Sequence, residues 1–222
     1  MDRRAFISGI TGGLLAAPLG AEAQPAGKVP RIGYLSSGSA TASRFVETFR
    51  QGLRELGWIE GENVVIDWRF AEGRFDRLPG LAAELVRLKV DVIVAAPTPA
   101  AVAAKNATET IPIVMSQVSD PVGLGLIASL ARPGGNATGL SYSVGVESFG
   151  KALELLKETV PKVRRVAVLS NPTNPSHALA IENVIVAARV VGVQLQLLEA
   201  GGPNQFDNAF ARWLENARRP SS

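Results

Sequence analysis

The chain has 222 residues, 46% of them hydrophobic, with 23 Lys and Arg against 20 Asp and Glu and a formal net charge of +3. That length allows one large domain or two smaller lobes with a real core; the weak, scattered positive charge, with no Lys/Arg block, gives no case for a nucleic-acid surface. Cysteine is absent and histidine occurs once, which excludes disulfides and a thiol-linked lipid anchor and argues against a zinc centre.

The chain opens Met1-Asp2-Arg3-Arg4-Ala5-Phe6, a basic start with paired arginines before an aromatic residue. An uncharged apolar run over 7–20 and the small-x-small motif Ala21-Glu22-Ala23 follow. This is the layout of a cleavable export signal over 1–23, and the arginine pair resembles the twin-arginine variant. The apolar run is shorter than the roughly 20 residues needed to span a bilayer. The remainder is predicted to be a free soluble protein of the periplasm, with no span after signal removal.

A short linker over 24–30 leads to a buried strand at 31–35. A helix is predicted over 42–56, with Phe45, Phe49, Leu53 and Leu56 on one face and Gly57 as its stop. A β-branched strand at 63–70, a helix at 78–88 and an apolar strand at 90–95 come next. A helix at 100–109 and a strand at 111–115 complete the series. Uniformly apolar strands alternating with helices predict a parallel sheet covered on both faces. The turn-dense stretch Arg132-Pro133-Gly134-Gly135-Asn136 is the expected lobe boundary.

After it the pattern restarts. The strand at 164–170 resembles the first, with Leu169-Ser170 matching Leu35-Ser36 at an offset of 134 residues. The next helix ends at Gly192, matching Gly57, and a strand at 193–198 matches the second. Phe206-Asp207 is aligned with Phe75-Asp76. Two lobes of related design are expected, the first over 31–143 and a partial second over 144–222. The second lacks a counterpart of the strand at 90–95, so the chain is expected to be cut short, poorly stable and a weak binder in this form.

Ligands of open parallel sheets sit beyond the C-terminal ends of the strands. That rule selects four loops, all small and polar, and from them Ser36, Ser37, Thr98, Ala100, Asp120, Asn171 and Asn174 as candidate ligand-binding residues. Thr98 suits an N-cap and Pro99 the first helical position, so a helix running through Ala100 would point free N–H groups at a carboxylate or phosphate; an ordinary capped helix is the alternative. Asp120 either caps a following helix or meets a ligand amine or hydroxyl. Asn171 and Asn174 either bond a ligand from the opposite wall or serve as turn residues beside prolines.

Sharper chemistry fails. The run Gly145-Val146-Glu147-Ser148-Phe149-Gly150-Lys151 matches the start of a phosphate loop, but Ala152 stands where Ser or Thr must hold magnesium. Phe149, Leu153 and Leu156 mark it as an amphipathic helix. No dinucleotide fingerprint follows the first strand, and a Ser36–His177 pair lacks the nucleophile elbow; His177 is expected at the exposed start of a helix. No catalysis, cofactor or metal is expected.

An ordered series of blocks carries a family resemblance. Arg31-Ile32-Gly33-Tyr34-Leu35, Phe49-Arg50-Gln51-Gly52-Leu53-Arg54-Glu55-Leu56-Gly57-Trp58 and Gly61-Glu62-Asn63-Val64 come first. Asp91-Val92-Ile93-Val94, Thr98-Pro99-Ala100-Ala101, Ile111-Pro112-Ile113-Val114 and Asp120-Pro121-Val122-Gly123 follow. Ala131-Arg132-Pro133-Gly134-Gly135-Asn136-Ala137-Thr138-Gly139 and Val166-Ala167-Val168-Leu169-Ser170-Asn171-Pro172 close the set. The chain resembles the ABC transporter substrate-binding proteins that include tryptophan- and phenylalanine-binding members. Pro97 departs from the glycine many relatives carry, and relatives continue well past this chain's length.

The resemblance implies an α/β type I periplasmic binding fold: a complete N-terminal lobe and an incomplete second one. It implies a small, amino-acid-like ligand held between lobes and passed to an inner-membrane ABC permease. A ligand sensor on the same fold, a non-functional fragment and an exported enzyme are the competing readings; the enzyme lacks metal ligands and dinucleotide motifs.

Overall fold

The computed structural model describes residues 28–40, 44–142 and 146–218. The export segment at 1–23 and the start of the linker lie outside these residues. In chain order the elements are β1 (Arg31–Ser36), α1 (Arg44–Glu55), β2 (Val65–Phe70), a 3-10 turn (Phe75–Arg77), α2 (Leu78–Arg87), β3 (Val92–Ala96), α3 (Thr98–Ala107), β4 (Ile113–Ser119) and β5 (Ala137–Tyr142). Then come α4 (Val146–Thr159), β6 (Arg165–Ser170), α5 (Pro175–Val191), β7 (Gln194–Glu199), a second 3-10 turn (Pro203–Gln205) and α6 (Phe206–Arg218). No helix among the described residues is long and apolar enough to cross a membrane.

β2-β1-β3-β4-β5 form one parallel sheet and β6-β7 a second. Successive residues of a strand face opposite sides, and the first sheet is buried on both. Leu35, Ile93, Ala95, Ile113 and Met115 meet α2 and α3 on one side. Tyr34, Ile66, Val94 and Ala96 meet Val46, Phe49 and Leu53 of α1 on the other. In the second lobe, Leu153 and Ala188 pack with Val166 and Leu195 on one face; Leu198 packs with Ala209 and Trp213 on the other.

Four expectations are corrected here. Phe45 and Leu56 are 59% and 77% exposed, and the buried stripe of α1 is Val46, Phe49 and Leu53. β4 runs on through Ser119, with a register shift between Met115 and Val118, so the expected loop after Met115 is strand. β5 was not expected at all. It pairs with β4, so the turn at 132–136 lies inside the first sheet's lobe and not at its boundary. Asn136 pins that turn: its carbonyl accepts from Ile113 N–H at 2.7 Å, and its Nδ2 donates to the carbonyls of Thr108 and Ile111.

The internal repeat is real at the level of elements: strand, helix, strand, 3-10 turn, helix occur twice in the same order. The carbonyl of Ser36 accepts from Ala71 N–H and that of Ser170 from Ala200 N–H, both at 2.9 Å. One pairing of the repeat shifts. Phe75 lies in the 3-10 turn whereas Phe206 opens α6, so Phe206 matches Leu78.

Candidate functional site

Two clefts open at the C-terminal ends of the first sheet's strands. The first, of ≈ 280 Å³, is lined from β1 by Tyr34 and Ser36 and then by Ser37, Gly38 and Ser39. Phe45 of α1, Ala96 and Pro97 at the end of β3, and Ser116 and Gln117 in the irregular part of β4 complete it. The Ala96–Pro97 peptide is cis. Gln117 has φ +58°, a left-handed conformation uncommon for a side-chain-bearing residue; it falls where the β4–β5 register breaks. Ser36 Oγ accepts from Gly38 N–H at 3.1 Å, and Ser37 bridges Ala96 and Gly73 through its backbone. Burial raises the Tyr34 phenol pKa, so the ring stays neutral.

The second cleft, of ≈ 180 Å³, lies between the lobes. Ser119, Asp120, Leu124 and Tyr142 line it from the first sheet's side. Phe149 of α4 and Ser176, His177, Leu179, Ala180 and Asn183 of α5 line it from the other. Sequence reasoning did not select Phe45, Gln117, Tyr142 or Phe149. A helical wheel that sets Val46, Phe49 and Leu53 inward would have left Phe45 outside.

The seven sequence-selected residues therefore do not converge. Ser36 and Ser37 line the first cleft and Asp120 the second. Thr98, Ala100, Asn171 and Asn174 line neither.

Thr98 is not a cap. It is the first residue of α3, it is 2% exposed, and Pro97 precedes it in the cap position without a side-chain bond. Its Oγ1 accepts from Ser119 N–H at 3.0 Å and lies 3.2 Å from Ser119 Oγ, tying β4 to α3. The helix end is also poor in free donors. Pro97 and Pro99 have no N–H, Ala100 is fully buried, and the N–H groups of Ala100 and Ala101 both go to the Pro97 carbonyl. An anion at this helix end is not favoured. Thr98→Val keeps the shape but leaves Ser119 N–H without its acceptor. It is expected to cost about 1–3 kcal/mol, read as a lower denaturation midpoint at unchanged slope.

Asp120 precedes no helix. It sits at φ +41°, and its Oδ1 accepts from Gly123 N–H at 2.9 Å, closing a turn. Asn174 caps α5, its Oδ1 taking Ser176 N–H at 3.1 Å. Asn171 Oδ1 holds Thr173 N–H and Oγ1, so both asparagines do turn and cap work.

His177 is half-buried in the first turn of α5, against the expectation of an exposed start. Its Nδ1 accepts from Asn171 N–H at 2.9 Å, and burial lowers its pKa. The positive end of the helix dipole adds to this preference for the neutral ring. A depressed folded pKa means the stabilisation is present above the unfolded value of about 6.5 and is lost as pH falls through the folded value. Acidification from neutrality should lower the melting temperature in that range, and His177→Gln should flatten the slope. Asp91 and Asp76 also have lowered pKa values, from Lys28 and Arg74 respectively, but these act only near and below the ordinary carboxylate range. Among the described residues no three His, Cys, Asp or Glu are grouped to hold a metal.

Comparison with known proteins places this geometry. A family model described as ABC transporter substrate binding protein matches residues 36–216. A tyrosine-binding protein of Clostridioides difficile (strain R20291) is 36% identical over 136 residues, covering 61% of this chain and 39% of its own length. A conserved domain protein from Vibrio cholerae superposes with a TM-score of 0.72 at 31% identity, over 85% of this chain and 63% of that one. The ABC domain from Streptococcus pneumonia in complex with L-Trp gives 0.69 at 23% identity, over 84% and 62%. This chain thus spans less than two thirds of each of these relatives. The lobes are those of the type I periplasmic binding fold, shared with a leucine-binding protein of Thermotoga maritima at a TM-score of 0.63 and 15% identity. With most of its length matched by the family model and its strands in that fold's arrangement, the chain belongs to the ABC transporter substrate binding protein family.

Proposed function

We propose that this protein is the solute-binding component of an ABC importer. It takes a small amino-acid-like solute carrying an aromatic ring and delivers it to an inner-membrane permease without chemical change. The lobes are those of 31–143 and 144–222. The Arg3-Arg4 segment directs export to the periplasm.

One observation carries the reading. The ends of β1 and β3 and the irregular middle of β4 converge on a cleft that joins serine hydroxyls and the Gln117 amide to the ring of Phe45, 59% exposed at its side. An exposed phenylalanine beside a polar floor suits a flat ring with a polar head group. The relatives named as binding tyrosine and as holding L-Trp are in keeping with that chemistry.

The test is a thermal-shift panel of L-tyrosine, L-tryptophan, L-phenylalanine, L-leucine and glucose. A solute at 100 times its dissociation constant stabilises by about 2.7 kcal/mol, so the aromatic amino acids should raise the melting temperature most. Phe45→Ala should weaken their binding by about tenfold, the upper range of an aromatic contact. Equal shifts for glucose and tyrosine, or unchanged affinity in Phe45→Ala, would count against this site.

A further inference from the structure

We propose that Gly123 and Leu179 form the seat on which the two lobes rest against each other, and that the missing side chain at 123 sets their separation. The seat has one half on each lobe. On the first, the turn after β4 is tied down at several points. Asp120 Oδ1 takes Gly123 N–H, the Asp120 carbonyl takes Leu124 N–H at 3.1 Å, and the Pro121 carbonyl takes Leu126 N–H at 2.9 Å. Leu126 and Ile127, just beyond, are buried in the first lobe's core. On the second, α5 is capped by Asn174 and anchored by Val184 and Ala188, which are 6% and 3% exposed.

Between these two fixed parts there is no spacer. A Cβ on Gly123 would overlap Asp120 Oδ2 and lie 2.8 Å from Asp120 Cγ and 3.0 Å from Leu179 Cδ2. The Leu179 distance is tighter than nine in ten real contacts, and the Asp120 distance is closer than a Cβ comes to another carbon. The first half of the seat is backbone and cannot rotate away. Leu179 belongs to a helix whose position is fixed by its own lobe. A side chain at 123 therefore has to displace the Asp120 carboxylate, turn the Leu179 side chain aside or push α5 away. The interlobe cleft opens beside the seat and includes Leu179 and Asp120 in its lining, so a change at the seat changes the spacing of the two walls. Gly123 and Leu179 are positioning residues: they touch no solute in the proposed cleft.

The consequence for solute capture rests on the binding function proposed above, but the seat is tested without any solute, so the two can fail separately. The chain has no cysteine, and Arg74→Cys with Asn204→Cys gives two sole attachment points for spin labels. Each is exposed and lies at the 3-10 turn of its own lobe. Pulsed electron paramagnetic resonance then reads the distance between lobes. Gly123→Val is expected to displace the distance distribution from the parent's by more than its width. Adding Leu179→Ala should bring it back toward the parent, because the opposing half of the seat has been cut away. Leu179→Phe alone, which thickens the contact from the other side, should displace it as Gly123→Val does. If Gly123→Val fails to fold, Leu179→Phe carries the test alone. Parent-like distances in the folded variants would overturn the proposal. A Gly123→Val displacement that Leu179→Ala leaves in place would also overturn it, since the cause would then be the displaced Asp120 carboxylate.

Discussion

Gly139→Ala should be among the most damaging single substitutions in the chain, costing about 3 kcal/mol or more, or preventing folding of the first sheet. Gly139 lies opposite Met115 across the β4–β5 pair, at φ +138°. A Cβ there would sit 2.6 Å from Met115 N and 2.9 Å from Met115 C. These are backbone atoms of a residue that is 2% exposed in an inner strand, so nothing can swing aside. β5 would have to part from β4, uncovering Ala137 and the edge of Ile113, both buried. The cost is read as a fall in the denaturation midpoint. Hydrogen exchange should show β5 amides losing protection before those of β1 and β3. A variant with parent-like stability would mean that Gly139 does not pair with Met115 in this register.

Leu85→Ala should cost about 2–5 kcal/mol, the range for a fully buried leucine in a well-packed site. Leu85 is 0% exposed and fills the space over Gly33 of β1, whose missing side chain makes room for it. A Cβ on Gly33 would lie 3.0 Å from both Leu85 methyl groups. Gly33→Ala alone should therefore destabilise through crowding, whereas in the Leu85→Ala background the same methyl enters the vacated space. The two substitutions should be non-additive, with the double variant more stable than the sum of the single losses implies. Additive losses would show that Gly33 and Leu85 do not share one packing site.

The strands buried on both faces were readable because burial leaves few polar residues in them: β3 is a continuous apolar run, and β1 carries Ile32 to Leu35 between Arg31 and Ser36. β5 was hidden for the opposite reason. Its Leu140 is 76% exposed, and Thr138, Ser141 and Gly139 look like a loop. The polar end of β4, with Ser116 and Gln117, was hidden by the same signature. In α1 the spacing of Phe49 and Leu53 was right, but two stripes share those positions. Packing against Ile66 and Tyr34 selected Val46 over Phe45, which frees Phe45 for the cleft.

At the proposed site, the rule that ligands lie at strand C-termini pointed to segments of which 36–39, 96–97 and 116–117 line one cleft. It could not assign individual side chains. Thr98 turns inward to Ser119, and Asn171 and Asn174 spend their oxygens on local N–H groups. Residue type alone does not reveal whether a hydroxyl or amide is already satisfied.

The most direct measurement is a titration of the isotope-labelled protein with L-tyrosine, followed through its backbone amide resonances. Saturable shifts are expected, concentrated at Ser36, Ser37, Gly38, Ser39, Phe45, Ser116 and Gln117 and strongly reduced in Phe45→Ala. Shifts that fail to saturate, or that cluster at a distant surface such as Trp58 and Ile59, would contradict it.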